Sequence, residues 1–380
     1  MRIILITHGK VNPNGHNGIS RVVYALNKYS KMEGITSEIW SVVDGVKKEE
    51  YFKRDEIVSV NCFPRIKHII LGRNEICKRI LREKDTIDLV HFHMPWLLDK
   101  IAIAKVCNDC GVPYIVTGHS AYSSNQKQSW KMKLGRLYEL PFLNKAVAIQ
   151  AISREEGSEF KKYGINTDIF VIPNSIEDPC SDTSEILLKN KTKEGKIKFL
   201  FMGELRVQKN IDSLIKAVAL LEEEEKKKIV FWIVGPDSKG NMSKLKRLCE
   251  TLKVEEQFVF WGGVFGEERK KMFKEADVYI TPSLSEVISL SAIEAMAYGK
   301  PCLFTRQSDV SYFYNYNFFV MCENYSIDMA KGLHEILEKR EKWNDMGINA
   351  RKAYESEFRW ESNIKKFIVA YEKYSKNIIR

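Results

Sequence analysis

The stretch Asp277-Val-Tyr-Ile280-Thr281-Pro-Ser-Leu-Ser-Glu286-Val-Ile-Ser-Leu-Ser-Ala-Ile-Glu294-Ala-Met-Ala-Tyr-Gly-Lys-Pro301 decides how the rest of this chain is read. Its first four residues form a short run that suits a β-strand, and a helical run follows the break. Such a break turns backbone N–H groups outward and makes a ready anion site. Glu286 falls in the loop and Glu294 in the first turns of the helix, eight residues on. A carboxylate accepts hydrogen bonds through two oxygens, so each acid can grip a pair of neighbouring sugar hydroxyls. Phosphate on the amides and hydroxyls on the acids outline a nucleotide-sugar site.

The alternation continues on both sides of this segment. Strand-like runs cover 198–202, 229–234, 257–261, 277–280, 302–305 and 317–321 in the second half of the chain. In the first half they cover 2–7, 37–43, 57–63, 89–92, 114–117, 148–152 and 168–172. Helical segments between strands predict mainly parallel sheets with helices on both faces. At 380 residues the chain is too long for one ordinary core. The expectation is an α/β chain of two Rossmann-like doubly wound domains facing each other across a cleft. The first would run over 1–178 and the second over 197–361, joined by a linker at 179–196 within the polar stretch 177–196. The last segment, 360–380, has a helical pattern with Ile364, Phe367, Ile368 and Tyr371 on one side. No strand follows it, and a terminal helix of this kind, from about 362 to 380, often crosses back onto the first domain.

No run of 18 or more apolar residues occurs, so no membrane span is expected. The opening Met1-Arg-Ile-Ile-Leu-Ile-Thr-His reads as a first strand and not as a secretion signal, which points to a cytoplasmic protein. The eight cysteines are scattered, as reduced packed thiols would be. Cys107 and Cys110 form a lone CxxC without the second pair a zinc set needs, and no metal site is expected. The net charge of +10 favours anionic partners. Nucleic acid is disfavoured, because neither an aromatic-basic RNA motif nor a helix-turn-helix pattern is present. Between 127 and 138, Lys127, Lys131, Lys133 and Arg136 interleave with Trp130, Met132, Leu134 and Tyr138. That pattern fits a segment lying on an anionic membrane, at the inner face of the plasma membrane. It fits a solvated helix packing an apolar stripe as well.

Three further groups are candidates for chemistry. The first strand runs into His8-Gly9-Lys10-Val-Asn-Pro-Asn-Gly15-His-Asn-Gly18, whose glycines let backbone approach a phosphate, or serve a plain surface loop. Asp88-Leu-Val-His91-Phe-His93 and Thr117-Gly-His119 put histidines at strand ends, where the binding crevice of an open α/β sheet lies. His119 is read as an active-site residue on that ground, and His91 and His93 as structural. After the strand at 198–202 comes Gly203-Glu204-Leu205-Arg206-Val-Gln-Lys209-Asn210. A pyrophosphate needs cations beside the amides, and Arg206 and Lys209 are expected to open toward the crevice that holds Glu286.

Together these pieces resemble the retaining glycosyltransferases of family four, which share the two-domain GT-B architecture. The match rests on Glu286-x7-Glu294 followed by Ala-Met-Ala-Tyr-Gly-Lys-Pro301, on Gly203…Lys209-Asn210 and on the Ser153 strand end. Ile172-Pro173-Asn174-Ser175 and Phe358-Arg-Trp360-Glu extend it over essentially the whole chain. The resemblance implies that Glu294 binds the ribose hydroxyls and Glu286 the transferred sugar. It also implies that the amides of Ile288, Ser289 and Leu290 meet the diphosphate and sugar, and that Lys209 neutralises phosphate charge. Gly18 would approach the phosphate from the first domain, His119 would stand beside the donor sugar, and the backbone of Val264 would read the base. The chain departs from the family in carrying Glu204 where Arg is usual, so that Arg206 would substitute for it. Asn17, Val287, Ser289 and Ser175 likewise stand where Gly is common.

The expected reaction moves a glycosyl group from a nucleoside-diphosphate sugar, with UDP-linked sugars the first expectation, to a hydroxyl of a glycan or lipid-linked glycan. The anomeric configuration is kept, the pathway is bacterial surface polysaccharide assembly, and neither cofactor nor divalent metal is used. Two other readings compete: a nucleotide-sugar epimerase or hydrolase on a similar scaffold, and a non-enzymatic anion-binding protein.

Overall fold

In the computed structural model the described residues are 1–13, 15, 17–65, 75–93, 98–119, 130–180, 195–308 and 311–376. Of residues 98, 130–135 and 311 only the backbone is described. The expected linker and the basic-aromatic segment at 127–138 therefore fall largely outside the described residues.

The chain divides into two compact units, Met1–Ser175 with Trp360–Arg380, and Ile176–Arg359. In the first unit the strands are β1 (Arg2–His8), β2 (Thr36–Val43), β3 (Glu50–Lys53), β4 (Ser59–Pro64), β5 (Leu89–His93), β6 (Tyr114–Thr117), β7 (Ala148–Ala151) and β8 (Asp168–Val171). They lie in the order β3-β4-β2-β1-β5-β6-β7-β8. All pairs are parallel except β3 with β4. Every residue of β5, β6 and β7 is buried, including the polar His91, His93, Thr117 and Gln150, as in a sheet covered on both faces. The antiparallel β3 was not legible. Its Glu-Tyr-Phe-Lys has one half-buried residue and three exposed ones, so an edge strand hides in a charged run. Asp55 sets the turn into β4 by accepting from the amides of Ile57 (2.8 Å) and Val58 (2.6 Å).

The second unit contains β9 (Ile197–Met202), β10 (Ile229–Val234), β11 (Phe258–Gly262), β12 (Val278–Thr281), β13 (Cys302–Thr305) and β14 (Phe319–Cys322). Their order is β11-β10-β9-β12-β13-β14, all parallel. The expected α/β class with two parallel sheets is what the structure contains.

In both sheets the chain builds outward on one side of its first strand and then returns to build on the other. The reversal falls between β1 and β5 in the first unit and between β9 and β12 in the second. At such a switch point the two loops leaving the carboxyl ends diverge and leave a crevice.

The terminal helix Trp360–Tyr374 belongs to the first unit. Trp360 stacks on Tyr29 with ring centroids 5.6 Å apart, and Asn363 Nδ2 donates to Ser175 Oγ (2.7 Å). Ile364, Phe367 and Tyr371 are buried as expected, whereas Ile368 is half-buried at the rim of the stripe. Just before it, Arg351 Nη1 donates to Asp178 (2.9 Å) and the Ile176 amide to the Phe358 carbonyl (3.1 Å). Residues 176–180 are thereby held in the second unit.

One glycine sets how closely the second unit's loops approach. Gly235 follows β10 with φ +151°, its amide donates to Gly262 O (2.7 Å), and a Cβ there would stand 1.8 Å from Gly203 O. Neither backbone segment can yield without breaking the ladder. Gly235→Ala is expected to cost about 2–3 kcal/mol or more in urea-unfolding stability. Wild-type stability in that variant would contradict the close approach.

Candidate functional site

At the switch point of the second sheet, β9 leads into Gly203–Arg206 and the 3-10 turn Val207–Lys209, and Asn210 in the left-handed region (φ +56°) opens the helix Ile211–Ala219. From β12 the chain enters the loop 282–289 and then the helix Leu290–Ala297. The two loops are joined by backbone, because the Leu284 amide donates to Gln208 O (2.8 Å). The second loop is pinned on its other side as well. Thr305 Oγ1 donates to Ser283 O (2.7 Å), and the Glu286 amide donates to Gln307 O (3.1 Å). Glu286 is thus fixed before any ligand arrives. Its carboxylate pairs with Lys209 and accepts from Ser283 Oγ (3.2 Å). The side chains of Lys209 and Glu286 are 20% and 19% exposed, so both stay open to a ligand.

Ser289, expected as a glycine-like position, is the helix N-cap and accepts from the Ala292 amide (3.2 Å). Ser291 Oγ donates to Met202 O (2.7 Å) and so must accept from Tyr279 OH, 2.8 Å away. Burial pushes that phenol up to about 12, which keeps it a donor. This chain of hydroxyls clamps the helix start onto the end of β9. With Ala292 capped, the amides of Leu290 and Ser291 still have no acceptor within the helix, and they add to the positive end of its dipole. The exit of β12 therefore presents amides and a lysine to one region, with Glu286 beside them.

Glu294, one turn further on, is 6% exposed and pairs with Arg269 of the helix Gly266–Glu275 through both oxygens. Sequence reading missed Arg269. It lies 25 residues away within a mixed-charge run, and only the fold brings it to Glu294. Val264, just before that helix, is buried at 6%, so its side chain serves the core while its backbone is what it can offer a ligand. Ile288 is buried too, and Leu290 is half-buried. Arg206 is turned onto Glu204, which also accepts from Ser238 Oγ. The structure therefore brings Lys209 and Glu286 together but ties Arg206 elsewhere.

In the first unit, Gly18 starts the helix Gly18–Met32. Asn17, in place of a glycine, caps it by accepting from the Ile19 amide (3.0 Å). His91 is buried between Tyr371 OH (2.9 Å from Nδ1) and Thr117 Oγ1 (2.6 Å from Nε2). Thr117 donates to Gln150 Oε1 (2.7 Å), so His91 must donate from Nε2 and accept at Nδ1. His93 Nδ1 lies 3.1 Å from His119 Nε2. His119 has φ +47°, a left-handed conformation rare outside glycine. Burial first, then the charge of Lys100, hold His119 down to about 3, and burial holds His91 and His93 well below the usual histidine range. All three are neutral at pH 7.

Among the described residues no group of three or more His, Cys, Asp or Glu is placed to hold a metal ion, and no helix is long and apolar enough to cross a membrane. The eight cysteines are free thiols, seven of them buried.

Two family models match the chain: Glycosyltransferase Family 4 over residues 16–178 and Glycosyl transferases group 1 over residues 182–353. An uncharacterized glycosyltransferase of Methanocaldococcus jannaschii is 31% identical over 233 residues, 57% of this chain and 57% of that protein. The chain thus spans little more than half the length of that relative. Among solved structures, sucrose-phosphate synthase from Thermosynechococcus elongatus superposes with a TM-score of 0.78 at 15% identity, over 98% of this chain and 99% of that one. HepE of Anabaena in complex with UDP gives 0.75 at 16% identity, over 97% and 99%. At these identities the likeness is one of fold, the GT-B fold.

The three depressed histidines have a consequence for stability. Unfolded histidines titrate near 6.5 and the folded ones lower, so between these values the unfolded chain binds more protons and stability rises with pH. Melting temperature should fall as pH drops below about 6.5 toward about 3, where folded His119 itself protonates. His119→Asn should reduce the proton uptake on unfolding in this window by up to about one. An unchanged uptake, measured from the pH dependence of urea unfolding, would place His119 in water.

Proposed function

Because the chain belongs to the group 1 and family 4 glycosyltransferases, we propose that it moves a glycosyl group from a nucleoside-diphosphate sugar, UDP-linked in the first instance, to a hydroxyl of a glycan or lipid-linked glycan with retention of configuration. The observation that carries this reading is the second unit's switch point, where Lys209, Glu286 and the uncapped amides of Leu290 and Ser291 converge. UDP in the HepE complex is a ligand of that protein, and it makes a uridine donor the first to try here.

Departure of the diphosphate builds negative charge on the leaving oxygen. Lys209 and the helix amides stabilise that charge in a site already held rigid by hydrogen bonds. Glu286 orients the sugar through its hydroxyls, and Glu294 holds the ribose with Arg269 keeping its carboxylate in place. The departing phosphate oxygen takes the proton of the acceptor hydroxyl on the same face, so no protein nucleophile is required. His119, neutral at working pH, contributes a hydrogen bond and not a charge. Side-chain cations and amides take the place of a divalent metal, and no cofactor takes part. The acceptor belongs to surface polysaccharide assembly, reached from the cytoplasm at an anionic membrane face and not from a nucleic acid.

Thermal stabilisation by a panel of UDP-, GDP-, ADP- and dTDP-sugars tests the donor class, since a ligand of the folded form raises apparent stability. Glu294→Ala and Lys209→Ala should each weaken the stabilising donor by about 10–100-fold, the loss of one or two charge-assisted contacts. Wild-type donor affinity in both variants would sink the assignment. Activity abolished by EDTA and restored by a divalent ion would overturn the metal-free mechanism.

A further inference from the structure

The charge of this protein is not shared between its units. The first unit carries 31 Lys and Arg against 20 Asp and Glu, and the second 29 against 30, so the whole excess of +10 resides in the first. Among the described residues of this unit, one of those cations is buried. Lys100, in the first turn of the helix Leu98–Asp109, is 3% exposed, and its Nζ has no hydrogen-bond partner among the described residues. Glu139 acts on it through space, without a hydrogen bond. Burial pulls the Lys100 amine down to about 7, because a buried ammonium with unfilled N–H groups is costly, and the positive end of a helix dipole makes the position worse. The position is therefore suited to an anion supplied from outside.

The neighbourhood supports this. His8 ends β1, His93 ends β5 and His119 follows β6 by two residues, all at the carboxyl edge around the first sheet's switch point. The ammonium of Lys100 acts on all three imidazoles, which sets it at the same edge. His93 Nε2 is a second buried nitrogen with no partner among the described residues. If His119 Nε2–H donates to His93 Nδ1, then His93 Nε2 carries a proton to offer. Arg65 adds a partly exposed cation, held loosely by Asp44 (3.3 Å) and Asp99 (3.8 Å).

We infer that Lys100, with the Nε2–H of His93, forms an anion subsite in the first unit that takes a phosphoryl group of the acceptor. The word "acceptor" rests on the transferase reading, whereas the subsite itself rests on the residues of this unit. A phosphoryl group fits both sources open to such an enzyme, a soluble sugar phosphate and a lipid headgroup.

The test titrates the full chain with inorganic phosphate by calorimetry, in the wild type, Lys100→Met, Lys100→Gln and Lys209→Ala. Lys100→Met and Lys100→Gln should each lose tenfold or more in phosphate affinity, while Lys209→Ala keeps the Lys100-dependent phosphate binding. Methionine keeps the buried volume, and glutamine keeps a hydrogen-bonding end in case methionine fails to fold. Wild-type affinity in a folded Lys100 variant overturns the inference. So does loss in Lys209→Ala alone, which would assign the phosphate to the donor site, and so does the absence of phosphate binding up to tens of millimolar. A second arm compares glycerol phosphate with vesicles of phosphatidic acid in phosphatidylcholine. Lys100-dependent binding to either supports the subsite and names its source, and binding to neither overturns it. The donor panel reports on the second unit separately, so the two proposals can fail independently.

Discussion

The Leu284 amide reaches Gln208 O, and with that one backbone bond the loops leaving β9 and β12 become a single structure. Parallel strands that diverge at a switch point would otherwise leave their loops independent and mobile. Here the bond aligns the Lys209 turn with the Glu286 loop, and the Thr305 hydroxyl holds the far side. Gly235 allows the neighbouring backbone to come close enough for β9 to end where it does. Positioning of this kind matters because charge stabilisation in a leaving-group site depends on groups that need no reorganisation as charge develops.

The same unit keeps its acids neutralised. Glu286 is paired with Lys209, Glu294 with Arg269 and Glu204 with Arg206. On the proposed reading, an entering diphosphate competes with Glu286 for Lys209, sugar hydroxyls offer the released carboxylate new donors, and Glu294 keeps Arg269. The exchange keeps every partly buried charge accompanied, which is the condition for having such charges at all. The first unit is arranged differently: His91, His93 and His119 are neutral, Lys100 is buried without a hydrogen-bonded partner among the described residues, and the unit holds the chain's excess positive charge. One unit is balanced internally and the other is poised for an anion.

What was legible in the sequence follows from burial. The strands with two buried faces stood out as short apolar runs, and all of them lie where the runs fall, within one or two residues. The edge strand β3 did not, because its side chains face water and its composition is that of a loop. The positions of Lys209 and Glu286 could be placed at strand exits from the βα alternation alone. Arg269 could not, since nothing in a helix with a charged face marks the one cation that meets a buried acid on another element. Ser289 and Asn17 looked like departures from a glycine pattern. Each serves as an N-cap, a role that its side chain performs and glycine performs less well. Lys100 gave no signal, because a lysine in the first turn of a helical segment reads as solvated until its burial is known.

On the proposed reading, the exit of β12 and the turn after β9 hold a leaving diphosphate. A crystal structure of the full chain with a non-hydrolysable UDP-sugar tests it most directly. Both phosphorus atoms should then lie within about 4 Å of a group among the Leu290 amide, the Ser291 amide and Lys209 Nζ, with the Lys209–Glu286 pair opened. Phosphorus atoms bound anywhere else, with that pair intact, would contradict it.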